Sequence, residues 1–388
     1  MKLFNNKQWM FYCIGVPVLL IVSYLSMPYY ARQALIHLMP TVDDLQTFHR
    51  DTVCRAAHAW HWPHASDYNS CHLPPADEAY LDSFQTLSFL VIQRDSLVHE
   101  SYRNGWNDTL TSNIYSATKT IVGLLVGIAL DEGKIQSLDD PVSRYLPCYT
   151  KGMQANVTLR HLLTMSGEMD WDESYASLFS VTTHGYYGND LYELATGLDV
   201  TKQPGLQFTY RSGETQLLAF VLEAATGKTL SQYAEEKLWK PMQAERDAYW
   251  LLDKEGGDEK AFCCFHTTAR DVARFARLML DRGRWNGRQL VSEAYLDEML
   301  QPASYLKDQW GKAPLSYYGF QIWLISYQGE MIPCMRGMLG QYIYVLPSQE
   351  AIVVRLGRKR CDTYLENSPF TTDMTRYLDI AMKLLDRE

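Results

Sequence analysis

Alternation of apolar and polar positions becomes legible at Leu87. Leu87-Ser-Phe-Leu-Val-Ile-Gln93 is an extended apolar run, Arg94-Asp95-Ser96 a polar turn and Leu97-Val98-His99-Glu100 the return, which predicts a β-hairpin. Ile121 to Leu130 is an unbroken apolar run that follows Ser116-Ala-Thr-Lys119. It ends at Asp131-Glu132-Gly133, with glycine where a helix C-terminus favours it, so a buried helix is expected. Residues 134–142 form a polar, turn-rich connector. Thr158–Met165 reads as a short helix capped by Thr158 and stopped at Ser166-Gly167, and helical periodicity returns over 215–226, 231–238 and 269–280. Gln341–Leu346 and Ala351–Leu356 predict two strands about a turn at Pro347–Glu350, and an amphipathic helix from about 371 to 385 closes the chain. Strands toward both ends with a helical middle predict an α+β fold carrying an inserted all-helical part over roughly 116–260.

The N-terminus has a different pattern. Lys2 and Lys7 precede Trp9–Leu25, an uncharged run of 17 residues, which is about the lower limit for crossing a hydrocarbon core. Positive charge before such a run predicts a cytoplasmic N-terminus with the remainder exported. A cleaved signal peptide is the rival reading, but Ser26-Met27-Pro28-Tyr29-Tyr30 is too bulky for a small-x-small cleavage site. The expectation is therefore an uncleaved anchor over 1–27, in a bacterial inner membrane with the catalytic body on the periplasmic side. Residues 28–80, rich in His, Pro, Asp and Trp, show no periodicity and receive no role. The remainder, 81–388, reads as one domain.

Composition narrows the classes. An apolar fraction of 47% with 21% charged residues is that of a globular chain. Net charge is −9, with no basic cluster beyond Arg358-Lys-Arg360, which argues against a nucleic-acid partner. Of the eight cysteines, Cys13 sits in the apolar run, leaving seven that cannot all pair; Cys54 with Cys71 is the most natural bridge. No Cys-x-x-Cys or His-x-x-x-His set suggests a structural zinc, and neither a metal nor a cofactor is expected.

Chemistry concentrates at Ser116-x-x-Lys119. Residues three apart on a helix share a face, and a lysine stripped of its proton by burial can activate a serine hydroxyl. The apolar run behind Lys119 would supply that low dielectric. A second match, Ser304-Tyr-Leu-Lys307, has no apolar helix behind it and reads as a surface loop. Further along, Pro204-Gly205 feeds a short extended stretch whose alternation puts Tyr210 and Ser212 on one side. A tyrosine beside a cationic lysine can have a lowered pKa and shuttle a proton. Arg336-Gly337-Met338-Leu339-Gly340-Gln341 leads into a strand, and its small residues permit close approach of a strand edge to a substrate. His161 and His266 have no evident partner and read as structural.

Taken in order, Ser116-x-x-Lys119, Tyr210-x-Ser212 and Gly337-x-x-Gly340-Gln341 resemble the serine β-lactamase and penicillin-binding-protein-like superfamily. Leu162–Gly167, Pro204-Gly205 and Thr268–Asp271 fall between them as that family would place them. The likeness is strongest to the branch of 6-aminohexanoate-dimer hydrolases and family VIII esterases and covers roughly 85–385. It implies an antiparallel sheet flanked by N- and C-terminal helices, and a serine hydrolase acting on a small or peptide-like ester or amide. It also implies Ser116 as the acylated nucleophile, Lys119 as its base and Tyr210 as the proton relay to the leaving group. Ser212 would hydrogen-bond Lys119, and the backbone N–H groups of Ser116 and Met338 would form the oxyanion hole. Tyr175, Arg336 and Gly337 become substrate-binding candidates. Where penicillin-recognising relatives carry Lys-Thr-Gly or His-Thr-Gly, this chain reads Met335-Arg336-Gly337, which weakens the alternative of a β-lactamase or peptidoglycan peptidase. A non-catalytic binding protein on the same scaffold would have no need to keep serine, lysine and tyrosine together.

Overall fold

Apolar residues at both parities along the C-terminal strands require a sheet covered on both faces. The computed structural model describes residues 14–386. Among these the strands are β1 (Arg50–Val53), β2 (Thr86–Gln93), β3 (Ser96–Tyr102), β4 (Ser112–Asn113), β5 (Ala248–Leu251), β6 (Phe265–Thr267), β7 (Arg284–Trp285), β8 (Arg288–Gln289), β9 (Trp323–Tyr327), β10 (Glu330–Gly337), β11 (Gln341–Leu346) and β12 (Ala351–Gly357). Six form an antiparallel sheet in the order β3-β2-β12-β11-β10-β9, four a smaller sheet in the order β1-β5-β6-β4, and β7-β8 a hairpin. The chain is thus α+β with an antiparallel sheet between helices.

Alternation sorts the main sheet's side chains. Ile343, Val345, Ile352 and Val354 join the core shared with the helices Ala269–Leu280 and Thr118–Asp131. Tyr342, Tyr344 and Val353 face the other way, against Tyr377, Leu378 and Ala381 of the closing helix Thr372–Leu385. The β2–β3 hairpin forms as its pattern predicts, with Gln93 opposite Ser96 at the turn. Between Thr118 and Trp239 every helix or strand element is helical.

The hairpin of β9 and β10 escapes the sequence pattern. Pro333, which pairs with Leu324, lies inside β10, and proline normally argues against an interior strand because it has no N–H to donate.

Residues 28–80, without a role in the sequence, do three things. The helix Tyr29–His37 packs on the helix Val181–Tyr187, where Tyr30 stacks on His184 at 4.2 Å. β1 adds an edge to the small sheet. Pro75–Ser83 packs against β2.

Two expectations need correction or restriction. Cys54 and Cys71 are not bridged; the bond joins the neighbours Cys263 and Cys264. Nearness in sequence misleads here because Cys54 is held beside Glu235 through its backbone N–H, whereas Cys71 packs on the opposite, Tyr377 side of the main sheet. The apolar run Trp9–Leu25 lies partly outside the described residues. Its described part, 14–25, falls mostly in the 11-residue helix Val16–Ser26, which has no buried residue, and no helix among the described residues is long and apolar enough to cross a membrane.

Candidate active site

β4 delivers the chain to Ser116. Ile114 N–H donates to Phe265 O at 3.0 Å and Tyr115 N–H to Asn113 Oδ1 at 2.9 Å. These bonds hold Tyr115 at φ 47°, a left-handed conformation that costs a bulky residue about 1–3 kcal/mol and persists only where surroundings impose it. The result is a tight 3₁₀ turn, Tyr115–Ala117, that leaves Ser116 half-buried and runs into the helix Thr118–Asp131. Gly337 on β10 makes this possible, because a Cβ there would stand 2.1 Å from Ile114 O.

One turn on, Lys119 is 1% exposed. Its Nζ lies 3.0 Å from Ser116 Oγ and donates to Phe262 O at 2.6 Å. Burial lowers its pKa from 10.5 to about 7, with the Glu173 charge acting weakly in the other direction. A sizeable neutral fraction at neutral pH makes Lys119 competent to take the serine proton. Tyr210 completes the group, with its ring centroid 5.1 Å from Lys119 Nζ and its hydroxyl close enough to Ser116 to feel it.

The expected lowering of the tyrosine pKa is not what the site produces. Burial pushes the Tyr210 hydroxyl upward, the Glu173 charge adds to this, and contact with Ser116 and the Arg336 charge oppose it only partly. A lysine that is itself half-deprotonated cannot stabilise a tyrosinate. Tyr210 therefore keeps its proton and is suited to donate it.

Ser212 also departs from expectation. It opens the helix Ser212–Thr226, and its Oγ donates to Glu173 Oε1 at 2.6 Å rather than to Lys119. Glu173 accepts from Ser212 N–H at 2.8 Å and from the Tyr175 hydroxyl as well. This carboxylate, whose charge acts on Lys119, is the site residue that the sequence pattern did not single out. Its only signal was its place in Asp170–Tyr175, a segment singled out for the tyrosine alone.

Met338 lies across the pocket from the helical part, on a turn that is heavily braced. Leu339 sits at φ 60° and Gly340 at φ 84°. The buried guanidinium of Arg355 donates to Leu339 O at 2.9 Å, Gly340 O at 2.7 Å and Phe84 O at 2.6 Å. A Cβ on Gly340 would come within 2.2 Å of Arg355 Nη1. Gln341 Nε2 donates to Met338 O and Gly357 O. Gly337, Gly340 and Gln341 thus form a rigid support for the backbone at 338, the property an oxyanion hole needs.

Ser116, Tyr175, Ser212 and Met338 all line one cavity of about 240 Å³. Arg336 does not reach it: the guanidinium donates to Pro369 O at 2.9 Å and lies 5.0 Å from the Trp323 ring centroid. Gly337 serves packing rather than the cavity wall. Tyr175 is 46% exposed at the rim. Ser304 and Lys307 stand on an exposed stretch outside any helix. His161 accepts from Thr158 N–H as part of a helix cap, and buried His266 has Nε2 3.0 Å from Asp44, so both are structural.

The family model described as Beta-lactamase matches residues 78–360. The 6-aminohexanoate-dimer hydrolase of Paenarthrobacter ureafaciens is 28% identical over 300 residues, 73% of this chain and 75% of that protein. A provisionally named 6-aminohexanoate-dimer hydrolase structure from Bacillus anthracis superposes with a TM-score of 0.72 at 21% identity, covering 93% of this chain and 95% of that one. A family VIII carboxylesterase superposes with a TM-score of 0.59 at 17% identity, over 81% and 99% of the two chains. At these identities the two structures speak for the fold alone.

Proposed function

Since this chain belongs to the β-lactamase family and is a serine hydrolase, we propose that it cleaves an ester or a linear amide through an acyl-enzyme on Ser116. The observation that carries this is the buried Lys119 amine, held near pKa 7 and 3.0 Å from Ser116 Oγ, with protonated Tyr210 beside both. Ser116 Oγ attacks the carbonyl carbon as its proton passes to Lys119. The oxyanion forms against the backbone N–H groups of Ser116 and Met338. Tyr210 then protonates the departing oxygen or nitrogen and recovers a proton from Lys119. Water repeats the sequence on the acyl-enzyme and frees the acid. Fluorophosphonate labelling followed by peptide mapping tests the first step, and a modification that maps anywhere but Ser116 contradicts it.

Among the described residues no cation lines the cavity wall, which favours uncharged esters and amides over β-lactams. Met335 is fully buried in the core and Arg336 is engaged at Pro369, so neither presents a charge to a β-lactam carboxylate. A charge-assisted contact of that kind is worth roughly 1.5–3 kcal/mol. For a short-chain p-nitrophenyl ester, kcat/KM is therefore expected to exceed that for nitrocefin by at least ~10-fold. Faster nitrocefin hydrolysis would instead favour the penicillin-recognising reading.

Location belongs to the same proposal. The uncharged run Trp9–Leu25 behind Lys2 and Lys7 would tether the protein, with residues after about 28 outside the cytoplasm. In support, no residue of the helix Val16–Ser26 is buried against the rest of the chain. Paired reporters fused after residue 80 test this: one active only outside the cytoplasm should be active, and one active only inside should be silent. The reverse pattern rejects the topology.

A further inference from the structure

The wall of the cavity into which the turn carrying Ser116 opens comes partly from a segment that lies before the matched family region. Leu35, Leu38 and Met39 line the cavity from the N-terminal side, Leu178 and Tyr187 line it from the helical part, and Phe262 from the turn before β6. The N-terminal wall is fastened there. Tyr187 hydroxyl donates to Leu38 O at 2.7 Å, His37 stacks on Tyr187, and Asn113 N–H donates to Val42 O at 3.0 Å. Below it, Asp44 is buried and accepts from Asn113 and Tyr186.

Two features of this cavity bear on the substrate. Among the described residues no Asp, Glu, Lys, Arg or His side chain lines it, so its wall offers nothing to balance a charged group. Its apolar side chains are nonetheless open: Leu38 is 70% exposed, Met39 60% and Leu178 36%. Large apolar residues exposed together around a cleft mark a surface that an apolar ligand covers.

Orientation follows from the catalytic residues. Ser116 and Met338, which meet the carbonyl, line the cavity, while Tyr210, which protonates the leaving group, does not. The cavity therefore lies on the acyl side of the scissile bond. We infer that it is an acyl pocket, built jointly by the N-terminal segment 34–40 and the helical part, and that the substrate is an ester of an uncharged aliphatic acid of medium length. This rests on the serine hydrolase reading above and specifies its substrate class.

The test is an acyl-length series of p-nitrophenyl esters, acetate to decanoate, kept below micellar concentration, with the full-length protein. A fully buried methylene is worth about fourfold in kcat/KM. Partial burial of four methylenes predicts a rise of at least ~20-fold from butyrate to octanoate. Octyl acetate, with its long chain on the leaving-group side, should show no such gain over ethyl acetate. Leu38→Asp and Leu178→Asp, on opposite walls, should each cut the octanoate-to-acetate ratio about tenfold. A flat or falling wild-type series overturns the inference, as does a ratio unchanged in both folded variants or a gain confined to octyl acetate. If either variant fails to fold, the wild-type series and the octyl acetate comparison decide alone. Loss of the acyl pocket would leave Ser116 labelling by fluorophosphonate intact, whereas absence of both labelling and turnover at every chain length would reject the hydrolase reading itself.

Discussion

Replacing Ser116 with alanine is expected to abolish fluorophosphonate labelling and to lower kcat/KM by at least ~10³-fold, the scale for deleting a nucleophile. The change removes one oxygen from a half-buried side chain, and Lys119 keeps its bond to Phe262 O. The turn that carries residue 116 is held by Asn113 and Phe265, not by the hydroxyl. Melting temperature should therefore stay within about 2 °C of wild type. Labelling that persists in the variant, or moves to Ser304, would show that the nucleophile has been misassigned.

Lys119→Arg is expected to cost at least ~10²-fold, because arginine keeps the charge but cannot give up its proton. The pH profile shows the same dependence from another side. Burial holds the folded pKa of Lys119 near 7, and the base works only when unprotonated. In wild type kcat/KM should accordingly be low below pH 7, rise through about 7 and level above it. Glu173 raises the Lys119 pKa through its charge, so Glu173→Gln should move this acid limb to lower pH. An unshifted or upward-shifted limb would exclude Glu173 from the proton network. Near-full activity in both Lys119→Arg and Tyr210→Phe would rule out the mechanism as a whole.

Several features of this protein could be read from local geometry. The β2–β3 hairpin, the pair β11–β12 and the helices Thr118–Asp131, Ala269–Leu280 and Thr372–Leu385 follow from periods of two and 3.6 acting over fewer than 20 residues. Ser116 and Lys119 meet because one helical turn separates them, and the apolar run behind them foretold a buried amine. Gly337, Gly340 and Gln341 were recognisable as a group, although only the fold shows that they brace the turn at 338. Misreadings arose where the deciding partner was remote. Tyr210 was expected to be acidified by Lys119, but burial of both outweighs that charge. Ser212 was expected to bond Lys119, but Glu173, 39 residues away, takes its hydrogen bond.

By itself, then, the sequence determined the hydrolase class, the sheet that supports the site and the grouping of Ser116, Lys119 and Tyr210 as its candidates, since each depends on spacing within one element or on the order of short motifs. Tertiary structure alone decided what surrounds the trio. Leu38 reaches Tyr187 across 149 positions, and Arg355 reaches Phe84 across 271. Contacts at such separations leave no periodic trace along the chain, because chain closure brings the partners together and no local preference records it.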